Sequence, residues 1–347
     1  MSRGSMRILL ALTLAVLIGG PAAAELHPSP AAEVMVICPA GLNEALAPWV
    51  AHRRAGGYRV AVSHAVDDAN TIRRTIRAAA ADAARRGGRL EAVLLVGDVA
   101  ADDQPNPLAV PTHLAEAKIN IRWGSEPHIA TDNWYADLDD DDVPDVAIGR
   151  FAVDSAAELR QVIAKTIAYE QQPDFGMWRR RLHFVAGVGG FGKLADGVLE
   201  SGTRYFLTGG IPAAYRSTMT YANWRSPYCP DPHRFRETTL ARLNDGCLFW
   251  VYIGHGHKQH LDVMRTPAGG FPILSNQDVP HIAPARGAPV ALFLSCYAGA
   301  FDQPEDCLAE KMLRHESGPV AVIAGSRVTM PYAMAVMGST MLEECFD

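Results

Sequence analysis

The sequence has no apolar run of the roughly 20 residues that a membrane-spanning helix needs; its longest, Ile8 to Ile18, has eleven. Its six cysteines form no CxxC pair, so a structural zinc knuckle is not expected. Six in 347 residues are also too few for a scaffold built from disulfides. There is no basic surplus: 32 Lys and Arg stand against 38 Asp and Glu, a formal net charge of −6. With no long basic run either, a phosphate-binding surface for DNA or RNA is argued against. No internal repeat or low-complexity tract occurs beyond one run of aspartates. What remains, 48% hydrophobic and 20% charged, is the composition of an ordinary soluble globular chain.

The eleven-residue run follows Arg3 and Arg7 and precedes Gly19-Gly20-Pro21-Ala22-Ala23-Ala24-Glu25. A positive start, a short apolar stretch and an Ala-x-Ala end describe a Sec-type signal peptide over residues 1–24. No cysteine stands at the cleavage point to take a lipid. This reading predicts a secreted or periplasmic protein with no membrane span. If one cysteine is a working thiol, five remain, so at least one more is unpaired or pairs between chains. Cys38, inside Val34-Met35-Val36-Ile37-Cys38, reads as a core residue.

Short β-rich runs alternate with stretches of helical period, which predicts an α/β fold with mostly parallel sheets. Strands are expected at 34–38, 59–63, 92–96, 146–148, 182–186, 247–253, 290–294 and 320–324. Helices are expected near 42–54, 70–86, 155–170, 194–207, 234–244, 304–315 and 332–344. Ser155 stands three residues before Glu158 and is followed by Leu159, Val162, Ile163 and Ile167, a helix-capping signal. The polar stretch Gln171-Gln172-Pro173-Asp174-Phe175-Gly176 divides the chain into 25–172 and 173–347. Long irregular segments are expected at 99–145 and 218–233.

Two strand ends carry reactive residues. Leu248-Phe249-Trp250-Val251-Tyr252-Ile253 stops at Gly254-His255-Gly256-His257, and Val290-Ala291-Leu292-Phe293-Leu294 stops at Ser295-Cys296-Tyr297-Ala298-Gly299. In an open parallel sheet, functional groups gather at the carboxyl ends of strands, so neighbouring strands would bring His255 and Cys296 to one rim. An imidazole there activates the thiol and later protonates a leaving amine. The amides of Gly256 and Cys296 are candidate donors to the oxyanion of a tetrahedral intermediate. A competing reading takes His255, His257 and His260 as the HxHxxH of a binuclear zinc hydrolase resembling the metallo-β-lactamases. Gln259 then stands where those enzymes place an Asp, and Cys296 has no role. Asp137, Asp139, Asp141 and Asp145 stand at positions 1, 3, 5 and 9 of an oxygen-rich loop of calcium-binding type. Asp142 holds the usual glycine position and no Glu stands at position 12, so a structural calcium ion and a solvated acidic turn are both open.

Thr131-Asp132-Asn133-Trp134-Tyr135-Ala136-Asp137-Leu138-Asp139, with Val146 to Phe151, Lys165 and Ala168-Tyr169-Glu170, resembles the first catalytic subdomain of the gingipain family of cysteine peptidases. Leu94 to Asp98 followed by Val110-Pro111-Thr112 is similar to the same family, as are Gly254-His255-Gly256 and Ser295-Cys296. The resemblance covers roughly residues 30 to 340. It implies a caspase-like three-layer α/β sandwich in two subdomains, with His255 as acid/base and Cys296 as nucleophile. It further implies protein or peptide substrates cleaved through a thioester, no catalytic cofactor, and an accompanying calcium ion. Gly325 to Tyr332 resembles the segment lining the family's primary pocket, which makes Tyr332 and Val336 candidate walls. The chain departs from the pattern at Val185-Ala186-Gly187-Val188-Gly189-Gly190, where better-known members carry a glutamate beside the histidine. It departs again at Phe191-Gly192-Lys193, where arginine-specific members carry an acid, which argues against arginine specificity. The sequence stops at Asp347 without the β-sandwich domain that often follows and leaves little chain between Glu25 and the first strand, so either activation by propeptide removal is not expected or the sequence is incomplete. A catalytically silent member that binds a partner through the same cleft is the other reading of these residues.

Overall fold

The computed structural model describes residues 32–346 except 66–67, 101–104, 173–174, 191, 193–196, 198–210, 224–225 and 267–268. The signal-peptide segment, most of the expected helix at 194–207, and Phe191 and Lys193 lie outside the described residues. Two compact units are present. One comprises the described residues within Met1–Glu116, His128–Gln172 and Phe301–Pro304; the other comprises those within Ala117–Pro127, Pro173–Ala300 and Glu305–Asp347.

The first unit contains strands β1 (Ala32–Cys38), β2 (Arg59–His64), β3 (Arg89–Val96), β4 (His113–Glu116), β5 (His128–Thr131) and β6 (Ala147–Phe151), with helices α1 (Asn43–Ala55), α2 (Ala69–Arg85), α3 (Asn133–Ala136) and α4 (Ala156–Glu170). Its main sheet is parallel, in the order β2-β1-β3-β6. Side chains alternate across a strand, and here both faces are apolar. Val34, Val36 and Cys38 pack with Leu46 and Trp49 of α1 and Leu159, Val162 and Ile163 of α4. Met35 and Ile37 on the opposite face pack with Ile72 and Ile76 of α2. A sheet covered on both sides needs continuous apolar strands, which is why β1 and β3 are legible in the sequence. The Ser155 hydroxyl accepts the Glu158 N–H at 3.2 Å, as the capping signal predicts.

The second unit contains β7 (Arg181–Ala186), β8 (Arg216–Tyr221), β9 (Phe249–Ile253), β10 (Val263–Thr266), β11 (Gly269–Pro272), β12 (Val290–Leu294) and β13 (Ala321–Ala324), with α5 (Phe235–Asn244), α6 (Leu308–Arg314) and α7 (Pro331–Phe346). Its five-stranded parallel sheet runs β13-β12-β9-β7-β8. Trp250, Tyr252, Ala291 and Phe293 face Phe235 and Leu243 of α5 and Leu308 and Met312 of α6. Helix α7 covers the other face, where Gly338 leaves room for the Leu294 side chain and Phe346 meets Phe249. Each unit is therefore a three-layer α/β sandwich.

The expected irregular segments need correction. Within 99–145, β4 and β5 pair as an antiparallel hairpin, and Arg150 of β6 organises what lies around it. Its guanidinium donates to Asp132 through Nε and Nη2, each at 2.8 Å, and to the carbonyls of Gly97 and Val110 at 2.9 and 2.7 Å. The segment 218–233 begins inside β8, an edge strand whose sequence, Arg-Ser-Thr-Met-Thr-Tyr, carries almost no apolar signal. Among the described residues no helix is long and apolar enough to cross a membrane.

Candidate active site

Strand register decides the site. Leu294, the last residue of β12, pairs with Ile253, the last of β9. His255 and Cys296 each follow two residues later, so both stand on one rim of the second unit's sheet. The two turns are in contact: the Gly254 N–H donates to the Leu294 carbonyl at 3.3 Å. A Cβ on Gly256 would overlap the Cys296 carbonyl oxygen and approach Ser295 Oγ at 2.7 Å. Only glycine fits there. Among the described residues, neither the Gly256 N–H nor the Cys296 N–H is spent on another acceptor.

The turn that carries Cys296 is strained and braced. Tyr297 has φ of 55°, a left-handed conformation that bulky residues rarely adopt. Its N–H donates to Arg327 O at 3.2 Å, and its hydroxyl donates to Glu126 at 2.8 Å. The Cys296 sulfur receives the Thr329 N–H at 3.4 Å and lies 3.6 Å from Thr329 Oγ1. Cys296 Sγ also donates to the Thr329 carbonyl at 3.9 Å. All six cysteines are free, and burial pushes the Cys38 thiol up to about 12 and those of Cys247 and Cys307 upward as well.

His255 Nε2 lies 3.1 Å from the Gly189 carbonyl beyond the end of β7. A carbonyl only accepts, so the neutral tautomer that uses this contact carries its proton on Nε2 and its lone pair on Nδ1. The Tyr252 hydroxyl donates to the His255 carbonyl at 2.6 Å.

A small pocket beside Cys296 is lined by Ile253, Gly254, Leu294, Thr329, Pro331 and Met334. Tyr332 and Val336, the expected walls, are 71% and 46% exposed, and the same helix turns Pro331 and Met334 into the pocket instead. The HxHxxH histidines do not converge. His257 and His260 lie with ring centroids 4.4 Å apart, tilted by 33°, yet among the described residues no cluster of three candidate metal ligands includes any of the three. Among the described residues the zinc reading thus lacks a three-ligand site.

In the first unit, carboxylate oxygens of Asp137, Asp139 and Asp145 lie within 4.8 Å of one another. Asp141 is not part of that group; it accepts the Val143 N–H at 2.8 Å. Asp140 and Asp142 have φ of 68° and 65°, so aspartate supplies the left-handed turn for which such loops ordinarily use glycine. Loss of hydration, then the charges of Asp141 and Asp145, push the Asp139 carboxyl up from its ordinary value. Arg73 ties Asp137 at 3.0 Å, and Arg73 and Arg77 hold Asp140 at 2.9 and 2.6 Å. Hard oxygen donors crowded in this way fit calcium chemistry.

Sequence reasoning missed the Gly189 carbonyl, Thr329 and Asp262, whose buried carboxylate accepts the Val188 N–H. Asp262 carried a signal, as the one acid inside Leu261-Asp262-Val263-Met264. Gly189 acts through its carbonyl and Thr329 partly through its N–H, backbone groups that every residue but proline has.

A family model described as Peptidase family C25 matches residues 27–347. The chain belongs to peptidase family C25. This C25 chain is 23% identical over 304 residues to Lys-gingipain of Porphyromonas gingivalis, covering 84% of the chain and 15% of that relative. It is 25% identical over 323 residues to Gingipain R2 of the same organism, covering 90% of the chain and 39% of that relative. The C25 chain therefore spans well under half the length of these relatives. The crystal structure of the Arg-specific cysteine proteinase gingipain R superposes with a TM-score of 0.66 at 20% identity, covering 91% of this chain and 68% of that one. A second protease structure gives 0.63 at 20% identity, covering 88% and 61%. The shared fold is the caspase-like α/β sandwich.

Proposed function

We propose that this C25 member is an exported cysteine endopeptidase in which Cys296 is the nucleophile and His255 the general base. The observation that carries the reading is the β9/β12 register, which puts both residues at equal depth on one rim, with Gly256 against the Cys296 carbonyl. His255 Nδ1 takes the proton from Cys296 Sγ. The thiolate attacks the scissile carbonyl carbon, and the oxyanion is received by the N–H groups of Gly256 and Cys296. The imidazolium returns the proton to the leaving amine as the C–N bond breaks, leaving a thioester. Water, deprotonated by Nδ1, releases the acid and the thiol.

The neutral lining of the pocket supports an uncharged apolar side chain on the residue preceding the cut bond, and not arginine. Export rests on the signal-peptide pattern of residues 1–24. Asp137, Asp139 and Asp145 would hold a calcium ion that stiffens the loop, remote from the chemistry in sequence and taking no part in it.

Cys296→Ala and His255→Ala are each expected to lower peptidase activity by at least about 10⁴-fold. Iodoacetamide at neutral pH is expected to label Cys296 far faster than the buried thiols. A peptide library should report apolar residues before the cut. Cleavage that survives Cys296→Ala would overturn the reading. Slow labelling together with an uncut library would favour a silent binding protein.

A further inference from the structure

A buried carboxylate that touches no cation stands one step from the proposed base. Asp262 is 7% exposed, and among the described residues it forms no ion pair. Burying an ionised group is costly unless it is hydrogen-bonded. Both oxygens are used on backbone donors: Oδ2 accepts the Val188 N–H at 2.8 Å and Oδ1 accepts the Val263 N–H at 3.1 Å. The Asp262 N–H itself donates to the Tyr252 hydroxyl at 3.2 Å.

These contacts run to His255 by two routes. Val188 precedes Gly189, whose carbonyl receives His255 Nε2 at 3.1 Å. Tyr252 passes its own hydroxyl proton toward the His255 carbonyl at 2.6 Å. Gly189 and Gly190 both have left-handed φ, 75° and 93°, so little in their own conformational preference holds that carbonyl in place. The strand end from Val185 to Gly190 contains no acid of its own. Instead, a Cβ built on Gly187 would lie 2.5 Å from Asp262 Oδ2 and 2.8 Å from the Tyr252 hydroxyl. The carboxylate fills the space that a side chain on β7's end would take. It arrives from the other side because the chain folds back at His257–His260 and bridges Gly256 to Leu261.

We infer that Asp262 is the positioning residue for His255: by pinning Val188 it aims the Gly189 carbonyl at Nε2, and so leaves on Nδ1 the lone pair that the proposed base uses. It rests on His255 being the base. Asp262 touches neither substrate nor sulfur; it sets the tautomer and angle of the imidazole through the backbone, a role that catalytic bases assign to a third group.

The test uses Asp262→Asn, which keeps the shape and replaces one acceptor by a donor facing an N–H. With kcat and KM measured separately, kcat is expected to fall about 100-fold, the cost of a misplaced catalytic group, while KM changes by less than about threefold. In ¹⁵N-histidine spectra, a slowly exchanging Nε2 proton, assigned by its loss in His255→Ala, is expected in the wild type and absent in Asp262→Asn. Wild-type kcat in Asp262→Asn overturns the inference. Should Asp262→Asn not fold, Gly187→Ala displaces the same carboxylate from Val188, and unchanged kcat in that variant overturns it equally. A wild-type protein that cleaves nothing refutes the peptidase reading instead. The Nε2 proton then decides alone, and an identical signal in wild type and Asp262→Asn overturns the role of Asp262.

Discussion

Gly256 shows how tightly single residues are set at this rim. Its missing side chain lets the histidine turn rest on the Cys296 carbonyl, so the smallest addition pushes the turns of His255 and Cys296 apart. Gly256→Ala is expected to cost about 1–3 kcal/mol through overpacking and to depress activity by far more than its effect on stability, checked by melting curves beside kcat/KM. The reason it is legible as a glycine in sequence, yet not as this contact, is that Ser295 and Cys296 are some forty residues away. Tyr297 is similar. Its place after Cys296 is plain in the sequence, whereas its left-handed φ is held by Arg327 and Glu126, which no local pattern connects to it.

At the scale of elements, the acidic loop between α3 and β6 carries the clearest conditional prediction. Three of the four spaced aspartates converge, and the fourth turns to Val143. The 1, 3, 5, 9 spacing thus located the loop but not which of its carboxylates converge, because the left-handed turns at Asp140 and Asp142 redirect the side chains. Chelation of calcium is expected to lower the melting temperature. A ligand present at 100 times its Kd contributes about 2.7 kcal/mol, and Asp139→Ala should abolish the sensitivity. A melting temperature indifferent to chelator would leave the loop as a turn secured by Arg73 and Arg77. Strands buried on both faces were legible for their unbroken apolar runs; β4, β5 and β8 were not, being short, polar or at an edge.

For the molecule as a whole, acid stability turns on a residue that no functional argument singles out. His183 in β7 is 2% exposed, with Nδ1 2.5 Å from Thr218 Oγ1. Burial first, then the Arg242 charge, pull its pKa from 6.5 down to about 4. The unfolded chain takes up this proton near pH 6.5 and the folded chain only near 4. Its contribution is therefore complete above pH 6.5 and lost as pH falls toward 4, on the order of 3 kcal/mol at about 1.4 kcal/mol per unit. His183→Gln, which cannot be protonated there, is expected to flatten the fall of melting temperature between those limits. An unchanged slope would mean that other groups govern acid unfolding.

Sequence alone determined the alternation of strand and helix, the two strand ends bearing His255 and Cys296, the cap at Ser155 and the family resemblance. Each of these depends on spacing within a few residues, where the periods of strand and helix and the chemistry of a turn act directly. Only the tertiary structure decided which groups surround them. Strand order places β7 beside β9, so the Gly189 carbonyl reaches His255 across 66 residues and Asp262 reaches Val188 across 74. Those partners are backbone atoms and a carboxylate brought together by register, and register is settled by packing both faces of a sheet at once, which no short stretch of sequence records.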